Sequence, residues 1–524
     1  MTSGRESDLD DPLEGVSSPD LAPEVQAPPG PPPDLKEKTA RSIIWTIVRT
    51  ASDYILSFAI FAVLARQLGP EAFGLFALAV AFAEFGKILP AAGLTAALPR
   101  ARQVTPEMAD TVFWASLALS VLVAGALALL AGPIASIFGE PTVAPLLTAL
   151  GVVLVISVAG ATHIALMLRE FGHRAMATRS VVSNLVGGAA ALAAAGAGWG
   201  AWSLVVQRGV TEVAGTGMAW HAYRWVPGRR LSFQVLRELG GFSAGMTLSQ
   251  ILFVALVRVQ DVIIGRTIGT AAVGVYRTAW RTVELIAQAV IMPFSQVSIP
   301  TLGRLQDDLP AFRRAYLRII SLTSALALPA IIGFAVLAPY AIPLVFGSQW
   351  EESARIARVL GLMALPFTLN RLAGPALGTL GRSALLAKIA ALQLVLTVVL
   401  TVAAAPYGLL AIAGAYVARA YLVLPIQMWA FRKYSGLGYG ELLASVAPAL
   451  AMSCVMAAAL LVLDRLVGPR FDHRGLHLLV MVVAGAAVYL SSMMLFARRF
   501  VSRQVQDFKR ILPGASGKFS GASA

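Results

Sequence analysis

The stretch Leu64-Ala65-Arg66-Gln67-Leu68-Gly69-Pro70-Glu71-Ala72-Phe73-Gly74-Leu75-Phe76 has an echo later in the chain. Arg66-Gln67-Leu68-Gly69 leads through four residues to Gly74-Leu75-Phe76. At an offset of 200 residues, Arg266-Thr267-Ile268-Gly269 leads to Gly274-Val275-Tyr276. A second pair keeps nearly the same offset: Ile134-Ala135-Ser136-Ile137-Phe138-Gly139 and Ala341-Ile342-Pro343-Leu344-Val345-Phe346-Gly347. Both pairs lie at breaks between apolar runs, which reads as a duplicated chain.

Those runs recur almost without pause. Hydrophobic residues make up 57% of the 524 residues and charged ones only 13%, too little charge to cover a soluble surface. Runs of about 20 residues are the length that spans a bilayer as helix, and isolated strands would strand their backbone polar groups in lipid. The expected fold is an all-α integral membrane protein of about fourteen transmembrane helices. Spans are expected near 42–67, 73–98, 110–132, 143–168, 178–198, 200–222, 240–265, 274–300, 315–338, 355–380, 385–405, 408–431, 440–463 and 475–497.

Six spans per half make the repeat parallel, and two parallel halves facing each other enclose a cavity near the bilayer midplane. The expected divisions are an acidic, Pro-rich, disordered cytoplasmic tail over 1–38, one lobe over 39–224, a second over 225–435, two extra spans over 436–500 and a cytoplasmic tail over 501–524. No secretory signal is read at the start.

The formal charge of +14 would suggest nucleic acid in a soluble chain. In a membrane chain it reads as positive-inside topology and contact with anionic headgroups. Alternate breaks carry the arginine clusters, among them Arg224, Arg229, Arg230 and Arg237, then Arg304, Arg313 and Arg314. That alternation predicts a multi-pass protein of the cell inner (cytoplasmic) membrane with both termini cytoplasmic.

The 64–76 stretch resembles the first extracytoplasmic turn of bacterial polysaccharide-export flippases, and Asp261-Val262-Ile263-Ile264-Gly265 with Gly269 and Gly274-Val275-Tyr276 resembles their second-half turn. The superfamily also holds the lipid II flippase and the multidrug and toxin exporters. The resemblance runs over about residues 40 to 435. It implies a twelve-helix core in two lobes and flipping of an undecaprenyl-diphosphate-linked oligosaccharide repeat unit by alternating access, from the cytoplasmic to the periplasmic leaflet. The pathways implied are exopolysaccharide, O-antigen or capsule biosynthesis, with polymerase and chain-length proteins as partners.

Charge within a bilayer is costly, so each intramembrane ion is a functional candidate. Most stand in helical pairs: Arg49 with Asp53, Glu84 with Lys87, Arg208 with Glu212, Arg258 with Asp261, and Arg281 with Glu284. Spacings of three or four place both partners on one helix face, which serves equally for internal ion pairs that make a polar lumen tolerable. Arg371 and Arg419 have no acid nearby in sequence, and Arg277 lies one turn above Arg281 or snorkels to the interface. Guanidinium groups match phosphate oxygens, so Arg49, Arg208, Arg258, Arg281, Arg371 and Arg419 are the expected diphosphate and sugar contacts. Asp53, Glu84, Glu212, Asp261 and Glu284 are candidates for a coupling ion.

No enzyme signature emerges. Gly514-Ala515-Ser516-Gly517-Lys518 has Leu512 where a phosphate loop needs its first glycine. His473 and His477 are four apart but lack the further ligands of a metal site, so neither metal nor cofactor is expected. Two rivals stand beside the flippase: a cation-coupled multidrug exporter, which calls for a cavity of acids and aromatics, and a membrane polysaccharide polymerase or ligase, which calls for a long extracytoplasmic loop.

Overall fold

The computed structural model describes residues 53–92, 94, 95, 98, 104–170, 173–467 and 473–496. All regular structure among them is helical. In chain order the helices are α1 (53–67), α2 (Pro70–Ala92), α3 (Pro106–Phe138), α4 (Val143–Arg169), α5 (His173–Gly196), α6 (Trp202–Ala222), α7 (Phe233–Thr267) and α8 (Thr270–Arg304). They continue with α9 (Leu309–Phe346), α10 (Glu351–Leu360), α11 (Ala364–Thr379), α12 (Ser383–Ala404), α13 (Leu409–Ser435), α14 (Tyr439–Val467) and α15 (Arg474–Phe496). A single 3-10 turn, Gly361–Met363, separates α10 from α11, so the two cross as one span.

Ten of the described spans are long and apolar enough to cross a membrane by length and composition alone. Charged α6 and α7 are not among them; they carry Arg208 with Glu212 and Arg258 with Asp261 toward neighbouring helices. Outward faces are apolar, as at Leu122, Leu129 and Phe496, a surface that suits lipid.

Helices α1–α6 form one lobe, in which α3 packs on α4 and α5 on α6. Helices α7–α13 form the other, in which α8 and α10 pack on α9 and α12 on α7 and α13. The extra pair lies outside the second lobe: α14 docks along α9, and α15 closes over both. Leu337, Met456, Leu460, Met481 and Met493 make a small core there. Tyr340 donates to Asp464 at 2.7 Å, and His477 approaches the same carboxylate at 3.5 Å.

The two sequence echoes have a physical cause at one end of the bundle. Helices α2 and α8 cross at their first turns, and a Cβ on Gly74 would overlap the Thr270 carbonyl, 2.6 Å from its carbon. Reciprocally, a Cβ on Gly274 would overlap the Pro70 carbonyl, 2.8 Å from its carbon. Only glycine permits backbones this close. The other echo ends α3 and α9, at Gly139 and Gly347, each with positive φ.

Side chains tie that same end shut. Arg66 donates to the carbonyls of Val345 (2.7 Å) and Leu344, while Gln349 and Trp350 donate to the Ala65 carbonyl at 2.7 and 2.8 Å. The α9–α10 turn thereby satisfies carbonyls left open at the end of α1. In the pseudo-related position, Thr270 donates to Glu140 at 3.0 Å.

Candidate functional site

Three groups of charge lie inside the bundle. The first is in the α1–α6 lobe, where Lys87 lies 3.5 Å and Arg208 3.9 Å from Glu212. These residues, with Glu84, line a small, partly open pocket between α2, α4 and α6.

The second group joins α2, α7 and α8. Arg258 meets Glu84 at 2.8 Å and Asp261 at 3.5 Å, and Arg277 grips both oxygens of Asp261. Arg277 also donates to the Val257 carbonyl at 2.6 Å. The Asp261 side chain is 1% exposed. Two arginines face two carboxylates, so the group is balanced, with Asp261 buried at its centre.

The third group lies where the lobes meet. Arg281 on α8 and Arg371 on α11 each stand 3.7 Å from Glu284, one at each carboxylate oxygen. Both arginines are about 40% exposed (39% and 40%). Gln288 donates to Glu284 at 2.8 Å and accepts from the Tyr54 hydroxyl of α1 at 2.7 Å. Arg281 reaches Ser57 of α1 at 3.5 Å, so both bridges cross between the lobes. Phe367 lies under the Arg371 guanidinium at 5.0 Å. One residue before Tyr54 on α1, Asp53 accepts from Ser180 at 2.7 Å and from Asn184 at 3.2 Å, both on α5.

Several sequence pairings change in three dimensions. Glu84 and Lys87 share a helix face but turn to different partners, Arg258 and Glu212. Arg277, expected above Arg281 or at the interface, is buried on Asp261 instead. Arg371, which has no acid near it in sequence, finds Glu284 across a helix gap. Arg419 stacks at 4.0 Å on Tyr416 and donates to Thr397 at 3.0 Å, apart from the carboxylate groups. Arg49 lies outside the described residues. Among the described residues no group of His, Cys, Asp or Glu could hold a metal ion.

The sequence does not single out Tyr54, Ser57, Ser180, Asn184, Phe367 and Gln288. Being uncharged, they do not stand out from an apolar background. Gln288 alone carried a usable signal, one helical turn after Glu284.

Comparison with known proteins decides the family. The model of the family described as "Polysaccharide biosynthesis protein" matches residues 63–355. The chain belongs to that family. A succinoglycan biosynthesis transport protein, ExoT of Rhizobium meliloti (strain 1021), is 31% identical over 64% of this chain and 67% of its own length. The lipopolysaccharide biosynthesis protein WzxC of Escherichia coli (strain K12) is 22% identical over 63% of this chain and 68% of its own.

Among solved structures, the lipid II flippase MurJ in an inward closed conformation superposes with a TM-score of 0.72 at 12% identity. The match covers 88% of this chain and all of MurJ. An inward-facing MATE family multidrug transporter gives 0.54 at 18% identity, covering 74% of this chain and 98% of its own. The family member thus has the fold shared by these membrane transporters, with α14 and α15 beyond the twelve-span core.

Proposed function

We propose that this protein flips an undecaprenyl-diphosphate-linked oligosaccharide from the cytoplasmic to the periplasmic leaflet, as a transporter and not an enzyme. The observation that carries the reading is that Arg281 and Arg371 share one carboxylate where the lobes meet. Lys87 and Arg208 likewise share Glu212. Both accessible groups therefore keep a positive excess, which suits a diphosphate and opposes a cationic drug.

The names of the relatives, a transport protein of succinoglycan biosynthesis and a lipopolysaccharide biosynthesis protein, point to the same cargo class. With the basic breaks cytoplasmic, the Gly74–Gly274 crossing lies on the periplasmic side and is closed. The sugar-diphosphate head enters from the cytoplasm and the lipid tail stays in the bilayer. A wet, charged passage spares the sugar hydroxyls a dry crossing that costs about 2–7 kcal/mol for each polar group left unpaired. The lobes then rock to release the head outside. In this reading Asp53, held by Ser180 and Asn184 of α5, is a candidate to couple an ion.

The test is export in living cells. Host cells carrying Arg281→Ala together with Arg371→Ala should insert normal amounts of protein and lose surface polymer. Undiminished polymer in that variant would remove the arginine assignment.

A further inference from the structure

The Glu284 carboxylate occupies the position that a bound anion would take. Each of its oxygens faces a different guanidinium, at 3.7 Å, longer than the usual 2.7–2.9 Å of a charge-assisted hydrogen bond. It is fixed from behind, because Gln288 donates to Oε1 and is itself held by Tyr54 across the lobe junction. The arginines are more exposed than the carboxylate between them. Two open cations thus converge on one anchored, loosely held anion.

We infer that Glu284 is a built-in stand-in for the diphosphate of the cargo, a positioning residue that keeps Arg281 and Arg371 parallel and partly neutral while the cavity is empty. The inference rests on the flippase reading above and adds to it how the site loads and unloads. Two anions cannot share the pair at full strength, so loading displaces Glu284. Unloading lets it return and expel the head. Without such a competitor, two arginines would hold a diphosphate too well to release it. The Tyr54–Gln288–Glu284 chain also passes the state of the site from α8 to α1, that is, from one lobe to the other.

The experiment uses the full-length protein in detergent and farnesyl-diphospho-N-acetylglucosamine at pH 7.5, with binding read by tryptophan fluorescence. Glu284→Gln should bind about tenfold more tightly than wild type, an ordinary coupling between competing ligands, and Arg371→Ala should bind weakly. If Glu284→Gln matches wild type, or weakens binding as Arg371→Ala does, the stand-in role is overturned while the cationic site survives. If neither wild type nor Glu284→Gln binds, the diphosphate reading itself fails.

Discussion

Asp261 and Glu284 each sit between two arginines, yet the two sites are opposites. Around Asp261 the contacts are tight, the carboxylate is 1% exposed, and Glu84 supplies a second acid that closes the charge count. Around Glu284 the distances are 3.7 Å, the arginines are open, and no second acid is described within ion-pair distance. The first fastens α2, α7 and α8 together; the second, on the function proposed above, leaves charge available to the cargo. The residue types are the same, and the two groups differ in the exposure of their arginines and in the number of carboxylates.

The comparison breaks most visibly at the buried member. Removing one partner of a buried ion pair strands the other charge at a cost of about 3–5 kcal/mol. Arg277→Ala should therefore lower yield and the detergent melting temperature sharply, read by a thermal aggregation assay. Little change in melting would mean that the Arg277–Asp261 pair does not fasten α7 to α8.

The Gly74–Gly274 crossing should rank next. A methyl group there forces packed backbones apart at about 1–3 kcal/mol, and only in the state closed at that end. Gly274→Ala should shift the protein toward the state open at that end. A cysteine placed at Gln349 should then label faster with a membrane-impermeant maleimide in the Gly274→Ala background than alone. Equal labelling would show that the crossing is not a closure.

The open group should give the smallest stability effect and the largest functional one. Accessible ion pairs contribute about 0–1 kcal/mol, so Arg371→Ala should melt within a few degrees of wild type while polymer export collapses. A large drop in melting temperature would place Arg371 with Arg277 as a fastening residue.

The limits of the sequence follow the same division. Span positions were legible because hydropathy over about 20 residues is a one-dimensional property: the span expected at 143–168 is α4, Val143–Arg169. Helix ends outside the hydrocarbon were not, so α9 runs from Leu309 to Phe346 where 315–338 was expected, and the 3-10 break between α10 and α11 left no mark. The glycine echo was legible because a backbone crossing tolerates one residue type. Pairs within one helix, such as Arg281 with Glu284, could be read from spacing. The pairing of Arg371 with Glu284, and the turning of Glu84 and Lys87 to separate partners, depend on how helices pack, which no local pattern encodes.

The central claim is that the positive excess at the lobe junction is what carries a diphosphate across. Its most direct test is flipping of a fluorescent polyprenyl-diphosphate sugar in proteoliposomes, followed by quenching from outside, with wild type, Arg281→Ala and Arg371→Ala at matched protein density. Fast flipping by wild type and loss of at least tenfold in each variant is the expected result. Equal rates in all three would contradict it.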